Sequence, residues 1–127
     1  MSAAASPATW AAIAVGAVLG AWARFALGLA LNRAGTPMPW GTLAANVVGG
    51  LAIGAALAVF ERRPELSAAW RPFLVTGLLG ALTTFSTFSA ESLQLIQRGA
   101  LGHALLHTGA HLLGSLAAAA IGWRLLR

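Results

Sequence analysis

Four long apolar runs divide this chain, from about Trp10 to Leu31, Trp40 to Phe60, Trp70 to Ile96 and His103 to Leu125, and only short polar turns separate them. Bilayer hydrocarbon is about 30 Å thick and a helix rises about 1.5 Å per residue, so each crossing needs roughly 20 apolar residues. Four crossings with their turns use up all 127 residues. The expected fold is therefore all-α: one transmembrane domain over residues 1–127, four helices with spans of about 10–31, 40–60, 70–96 and 103–125. No length remains for a soluble catalytic domain, a phosphate-binding strand-loop-helix unit or a nucleic-acid module with its own core.

Charge agrees with the bilayer as solvent. Hydrophobic residues are 58% of the chain and charged residues 9%, too few ionised groups to coat a water-soluble globule. The net charge of +5 comes from eight scattered Arg, whereas a DNA binder clusters its bases on one exposed face. All but Arg24 fall between the apolar runs or at their margins, where headgroup contact and topology account for them. Cysteine is absent, which removes disulfides, thiolate metal sites and cysteine nucleophiles. Residues 1–9 lack the positive n-region of a signal peptide and the run behind them is long enough to span, so a retained first helix is expected.

Four crossings put both termini and the middle loop, Glu61 to Glu65, on one aqueous side. That side carries Arg62, Arg63, Arg71, Arg124 and Arg127 against Arg33 and Arg98 on the other, a modest bias toward a cytoplasmic placement that leaves insertion both ways round open. Trp10, Trp40, Trp70 and Trp123 sit near span ends, as indole prefers. Gly16 and Gly20, then Gly50 and Gly54, are four residues apart and clear a groove for another helix, either within one subunit or between two.

Polar side chains are costly in hydrocarbon, so those that remain carry the information. Thr42, Asn46, Gly50 and Gly54 share a face of the second span, where the Asn46 amide can donate to an anion or join two helices. In the third span Gly77 and Gly80 precede Thr83, Thr84, Ser86, Thr87 and Ser89. This cluster predicts a central helix break, the alternative being an unbroken helix whose hydroxyls bond back one turn. Phe85 and Phe88 lie one turn apart on one face. Their partly positive ring edges suit a small dehydrated anion, although such a pair also serves plain packing. His103, His107, His111 and Ser115 form a polar stripe on the fourth span. The stripe is expected to be a hydrated pore wall, since zinc would lack a Cys or nearby carboxylate to complete its shell. Arg24, on the face of Gly16 and Gly20, either snorkels to headgroups or makes a vestibule electropositive. Glu91, the only acid within an apolar run, is expected to reach an aqueous vestibule or an Arg24-like partner.

Taken in order, Gly16-Ala17-Val18-Leu19-Gly20 with Arg24, Trp40-Gly41-Thr42-Leu43 leading to Asn46 and Gly49-Gly50, and Thr76 to Gly80 running on through Thr83-Thr84-Phe85-Ser86-Thr87-Phe88-Ser89-Ala90-Glu91 resemble the small dual-topology fluoride channels, the CrcB or Fluc family. The likeness covers nearly the whole chain, and the 80–91 stretch with Asn46 is its most specific part. It implies an antiparallel homodimer in the cell inner membrane with two pores, each lined by both subunits, through which cytoplasmic fluoride leaves passively. It further implies that the edges of Phe85 and Phe88 meet fluoride, that Asn46 donates to it, and that a structural Na+ at the dimer centre is held by the backbone carbonyls of Gly80 and Thr83. The remaining pore positions are Thr42, Thr84, Ser86, Thr87, His107, His111 and Ser115, with Arg24 and Glu91 in the vestibule. His107 and His111 depart from the Ser or Tyr expected on the fourth-helix track.

Two other classes fit the size. A proton-coupled multidrug or cation exporter needs a carboxylate deep in its first span, where this chain has Arg24 and no acid. A metal-binding membrane protein would use the His stripe but leaves Asn46 and the Thr/Phe segment without a role. An enzyme is not expected, because no nucleophile, base and orienting acid come together.

Overall fold

The structure is a computed structural model and describes residues 6–127; the leading part of the segment read as lacking a signal peptide, residues 1–5, lies outside the described residues. The described elements are α1 (Pro7–Leu31), α2 (Trp40–Arg62), α3 (Pro64–Arg71), a wide π-helical segment π1 (Pro72–Leu79), α4 (Gly80–Leu82), α5 (Phe85–Gln97) and α6 (Leu101–Leu126). They group into four helical stretches long and apolar enough to cross a membrane: Pro7–Leu31, Trp40–Arg62, Pro64–Gln97 and Leu101–Leu126.

Local chemistry sets the ends. Ser6 caps α1 by accepting the Thr9 amide at 3.2 Å and Pro7 occupies the first turn, so the helix starts three residues before the expected Trp10. Asn32 ends α1, and its Oδ1 accepts the Gly41 amide at 2.6 Å. That bond satisfies one of the orphan donors at the start of α2, which has no capping side chain of its own. The segment Glu61 to Glu65, expected as an aqueous loop, is instead almost wholly helical: Glu61 and Arg62 end α2, Pro64 and Glu65 begin α3, and Arg63 alone turns the chain. Pro at the first helical position makes so tight a turn possible. The exposed Arg63–Glu65 pair, 2.6 Å apart, adds little stability in water.

The third stretch is 34 residues long, about 50 Å if straight, and exceeds the bilayer core. It is not straight. Pro72 has no amide to give the preceding turn, and the helix widens there into π1, closing with Gly80 N–H on the carbonyl of Val75. Ten residues after Pro72 regular structure stops. Thr83 ends α4 with its amide and its hydroxyl both on the Leu79 carbonyl, at 3.0 and 2.8 Å, and Thr84 is extended at φ −152° and ψ 118°. The Thr84 hydroxyl then accepts the Thr87 amide at 3.1 Å and starts α5. The expected break is present. Of the expected causes the Thr pair interrupts the helix, while Gly80 remains helical.

The glycines act in packing. A Cβ on Gly16 would meet the Phe73 carbonyl, and one on Gly20 the Leu78 carbonyl, so α1 lies against π1 backbone to backbone. Gly50 likewise faces the Ser115 carbonyl and Gly54 the Ala119 carbonyl, while Gly122 of α6 faces the Leu51 carbonyl. Both four-residue spacings therefore serve packing within one chain, α1 with π1 and α2 with α6. Ala45, Leu79 and Leu82 form the small buried core where these pairs meet. Large apolar side chains point outward instead, among them Trp22, Phe25 and Leu29 on α1 and Leu105, Leu112 and Leu116 on α6. Such a surface suits lipid or another subunit.

Gly54→Leu is expected to lower stability by about 1–3 kcal/mol or more, because its Cβ runs into α6 backbone that cannot swing away. Gly102→Ala, with nothing within 4 Å of the added carbon, should change it by less than about 0.5 kcal/mol. Thermal unfolding in detergent of the two variants checks the contrast.

Candidate functional site

The break brings polar groups from α2, α5 and α6 into one cluster. Asn46 on α2 faces Thr84 and pairs with its backbone twice: Nδ2 donates to the Thr84 carbonyl at 3.1 Å and Oδ1 accepts the Thr84 amide at 2.8 Å. This fixes which way round the amide points, since a flipped side chain would set donor against donor. The second Nδ2 hydrogen goes to Nδ1 of His111 at 2.9 Å. Both amide hydrogens are thus taken within the chain, and an anion at Asn46 must compete with His111 or Thr84 for one.

A second string runs parallel to the first. Thr42 donates to Glu91 Oε1 at 2.6 Å, Glu91 Oε2 lies 3.1 Å from His107 Nε2, and His107 Nδ1 lies 2.8 Å from the Ser92 hydroxyl. Ser92 also reaches the Thr108 hydroxyl at 3.4 Å. His107 is completely buried and His111 nearly so. Glu91 also lines a cavity mouth with Arg33 and Arg98. Of the two surroundings expected for Glu91, a cavity shared with arginines is present, while Arg24 itself bonds elsewhere, its Nε donating to the Ala81 carbonyl at 2.9 Å beside the break. Arg24 lines a cavity of about 410 Å³ together with Asn32, Thr42, Thr84 and Thr87.

Phe85 and Phe88 are in contact, centroids 5.4 Å apart, but they do not share one environment. Phe85 is 75% exposed and Phe88 8%. Phe88 lies nearly parallel to the His107 ring at 5.3 Å and tilted against His111 at 4.8 Å, so imidazoles pack on it from the α6 side. Both rings, with Asn46, Thr83, Thr84, His111 and Ser115, line a groove of about 430 Å³. Ser86 is exposed, 3.3 Å from the Thr84 hydroxyl. Gly80 begins the short α4, and Thr83 is the first residue of the interruption.

The His stripe requires correction. His103 is exposed and joins none of this, while His107 and His111 turn inward, their centroids 4.5 Å apart. The expected lack of a carboxylate near them is also overturned, for Glu91 reaches them across the α5–α6 packing. Sequence reasoning passed over Ser92 and the capping role of Asn32. Ser92 had only a weak signal, since it follows Glu91 on a helix already rich in hydroxyl and amide residues; Asn32 had none beyond lying at the end of an apolar run.

Comparison with known proteins places this geometry. Residues 11–123 match the family described as CrcB-like protein, Camphor Resistance (CrcB). The chain belongs to the CrcB family. It is 52% identical over 123 residues, 97% of this chain and 94% of the relative, to a protein of Aromatoleum aromaticum (strain DSM 19018 / LMG 30748 / EbN1) named fluoride-specific ion channel FluC. Relatives with the same name from Bordetella bronchiseptica (strain ATCC BAA-588 / NCTC 13252 / RB50) and Pseudomonas putida (strain W619) are 51% and 50% identical, covering 96% and 87% of this chain and 94% and 87% of their own. With its four spanning-capable helices, this CrcB member is a multi-pass membrane protein.

Removing the amide tests the clamp on the break. Asn46→Leu deprives the Thr84 amide of its acceptor, and hydrogen exchange at that amide should quicken about tenfold or more. Asn46→Asp keeps the acceptor while losing both donors, so Thr84 should stay protected.

Proposed function

We propose that this chain is a fluoride-selective channel that lets cytoplasmic fluoride leave passively across the cell inner membrane, working as an antiparallel homodimer with two pores. The observation that carries the reading is the Asn46 clamp on the Thr83–Thr84 break, found in a chain about half identical to proteins named fluoride-specific ion channels. No bond in a substrate is made or broken, and the protein is a channel rather than an enzyme.

Fluoride is small and holds its water tightly, so a selective passage must replace that water with fixed donors in a narrow bore. The groove beside the break offers such a lining: the Ser115 hydroxyl, the Asn46 amide and the Phe85 ring, with Thr84, Ser86 and Thr87 close by. An arriving anion draws an Asn46 hydrogen away from His111, a neutral acceptor and therefore the weaker competitor. Phe85 is exposed on the single chain, with its rim available to a pore completed by a second copy. Arg24 in its cavity, and Arg33 and Arg98 at the mouth that Glu91 shares, raise the local anion concentration. A larger chloride fits such a bore poorly.

The dimer reading includes a structural Na+ between carbonyls of Gly80 and Thr83 from both copies. The residues fit such an ion. Thr84 N–H, which would close the helix on the Gly80 carbonyl, is bonded to Asn46 instead, and Thr87 N–H, which would serve the Thr83 carbonyl, is bonded to the Thr84 hydroxyl. Two carbonyls stripped of their helical donors suit a hard cation. When bound, the cation's charge offsets the cost of bringing anions near the midplane.

Efflux from proteoliposomes tests the function. Fluoride should leave rapidly while chloride is retained, and Phe85→Ile or Asn46→Ala should slow fluoride at least about tenfold, a barrier increase of about 1.4 kcal/mol. Equal release of the two halides would refute selectivity. The antiparallel arrangement is tested with a single cysteine, Ala34→Cys, in the exposed turn after α1 of this cysteine-free chain. A membrane-impermeant maleimide applied from one side should label about half of the molecules if insertion goes both ways.

A further inference from the structure

Glu91, His107 and His111 converge so that one ligand atom from each lies within 4.8 Å of the other two. The atoms pointing away from that meeting place are already anchored. Thr42 holds the outer carboxylate oxygen of Glu91, Ser92 holds Nδ1 of His107, and Asn46 holds Nδ1 of His111. Thr42 and Ser92 are outer partners of the kind that orient ligands in protein metal sites, whereas Asn46 donates to His111 Nδ1 and so holds that ring in the tautomer opposite to the one that binds a metal through Nε2. Among the described residues His111 Nε2 has no hydrogen-bond partner although it is buried, a costly state that ordinary packing does not explain. Phe88 stacks on the His107 ring and lies tilted against His111, covering one side of the pair.

From this convergence we infer that Glu91, His107 and His111 form a binding site for a divalent transition metal of zinc type, and that the loaded site closes the anion passage. Two imidazole nitrogens and one carboxylate oxygen are the donor set zinc takes when it leaves a fourth position open. The site is distinct from the carbonyl pair at the break, which suits only a hard cation. Loading acts directly on the pore. Because Asn46 donates to Nδ1, the neutral His111 ring carries its proton on Nε2. Coordination through Nε2 moves that proton to Nδ1, where it meets the Asn46 N–H head-on and breaks the bond between the two side chains. The metal therefore disturbs the amide that holds the break and sets a double positive charge beside the groove, where it traps a passing anion.

Binding is tested without reference to transport, and closure separately; only the closure rests on the channel reading. Purified full-length protein in detergent is titrated with Co²⁺, whose visible absorption becomes intense in a four-coordinate nitrogen and oxygen site, and Zn²⁺ is then added to displace it. One ion per chain is expected. Glu91→Gln, His107→Ala and His111→Ala should each weaken binding at least about tenfold, about 1.4 kcal/mol. His103→Ala, an exposed histidine of the same helix, should leave binding unchanged, and gel filtration excludes variants that fail to fold. Absence of the band, or equal loss in His103→Ala, overturns the site. In proteoliposomes, excess zinc should stop wild-type fluoride efflux and a chelator should restore it, while whatever rate His111→Ala retains should be the same with and without zinc. Wild-type efflux that ignores zinc in protein giving the cobalt band overturns the closure. Metal-free wild type that passes no fluoride removes the channel reading and leaves the cobalt result standing.

Discussion

A single side chain makes the third helix tolerable as it is. Backbone that leaves helical geometry at membrane depth exposes amides and carbonyls that hydrocarbon cannot solvate, each at a cost of several kcal/mol. Asn46 replaces the missing partners at Thr84 in both senses, and Arg24 takes the Ala81 carbonyl just upstream. With those groups satisfied, two residues of extended chain persist between α4 and α5, and α5 is freed to carry Phe88 and Glu91 to α6 rather than continue on the line of π1. The polar cluster and the groove beside it both follow from that change of direction.

Rigidity around the break comes from close backbone contact rather than large side chains. Gly16 and Gly20 seat α1 on π1, and Gly50, Gly54 and Gly122 seat α2 on α6. In a bilayer the hydrophobic effect does not drive helices together, so association depends on packing of this kind and on interhelical hydrogen bonds. The chain uses the first at its periphery and the second at its centre, where Thr42, Glu91, Ser92 and His107 link three elements.

Much of this could be read from the sequence because the bilayer imposes simple rules on length and polarity. Four runs of the right length became four spans, and the Thr cluster foretold the break, since hydroxyls that can bond their own backbone weaken a helix wherever they gather. What the sequence hid were relations across helices. Glu91 and His107 are sixteen positions apart and meet only because α5 and α6 fold back on each other, so no spacing rule reveals the pair. The stripe suggested three equivalent imidazoles, yet His103 stays outside while His107 and His111 go in, because periodicity names a face without saying how far along it the neighbouring helix extends. Phe85 and Phe88 diverged similarly: three positions on a helix share a side, but only one of the two is roofed by α6.

The wide turn at Pro72 has an effect beyond its own eight residues. A π segment carries a surplus residue relative to regular winding, and one residue corresponds to about 100° of rotation about the axis. Everything downstream is dialled round by that amount, so the aim of Thr83 and Thr84 at Asn46 is set by a proline more than ten positions earlier. Evolution or a designer could thus steer the later half of this helix by adding or removing a single residue there, leaving the residues of the polar cluster untouched.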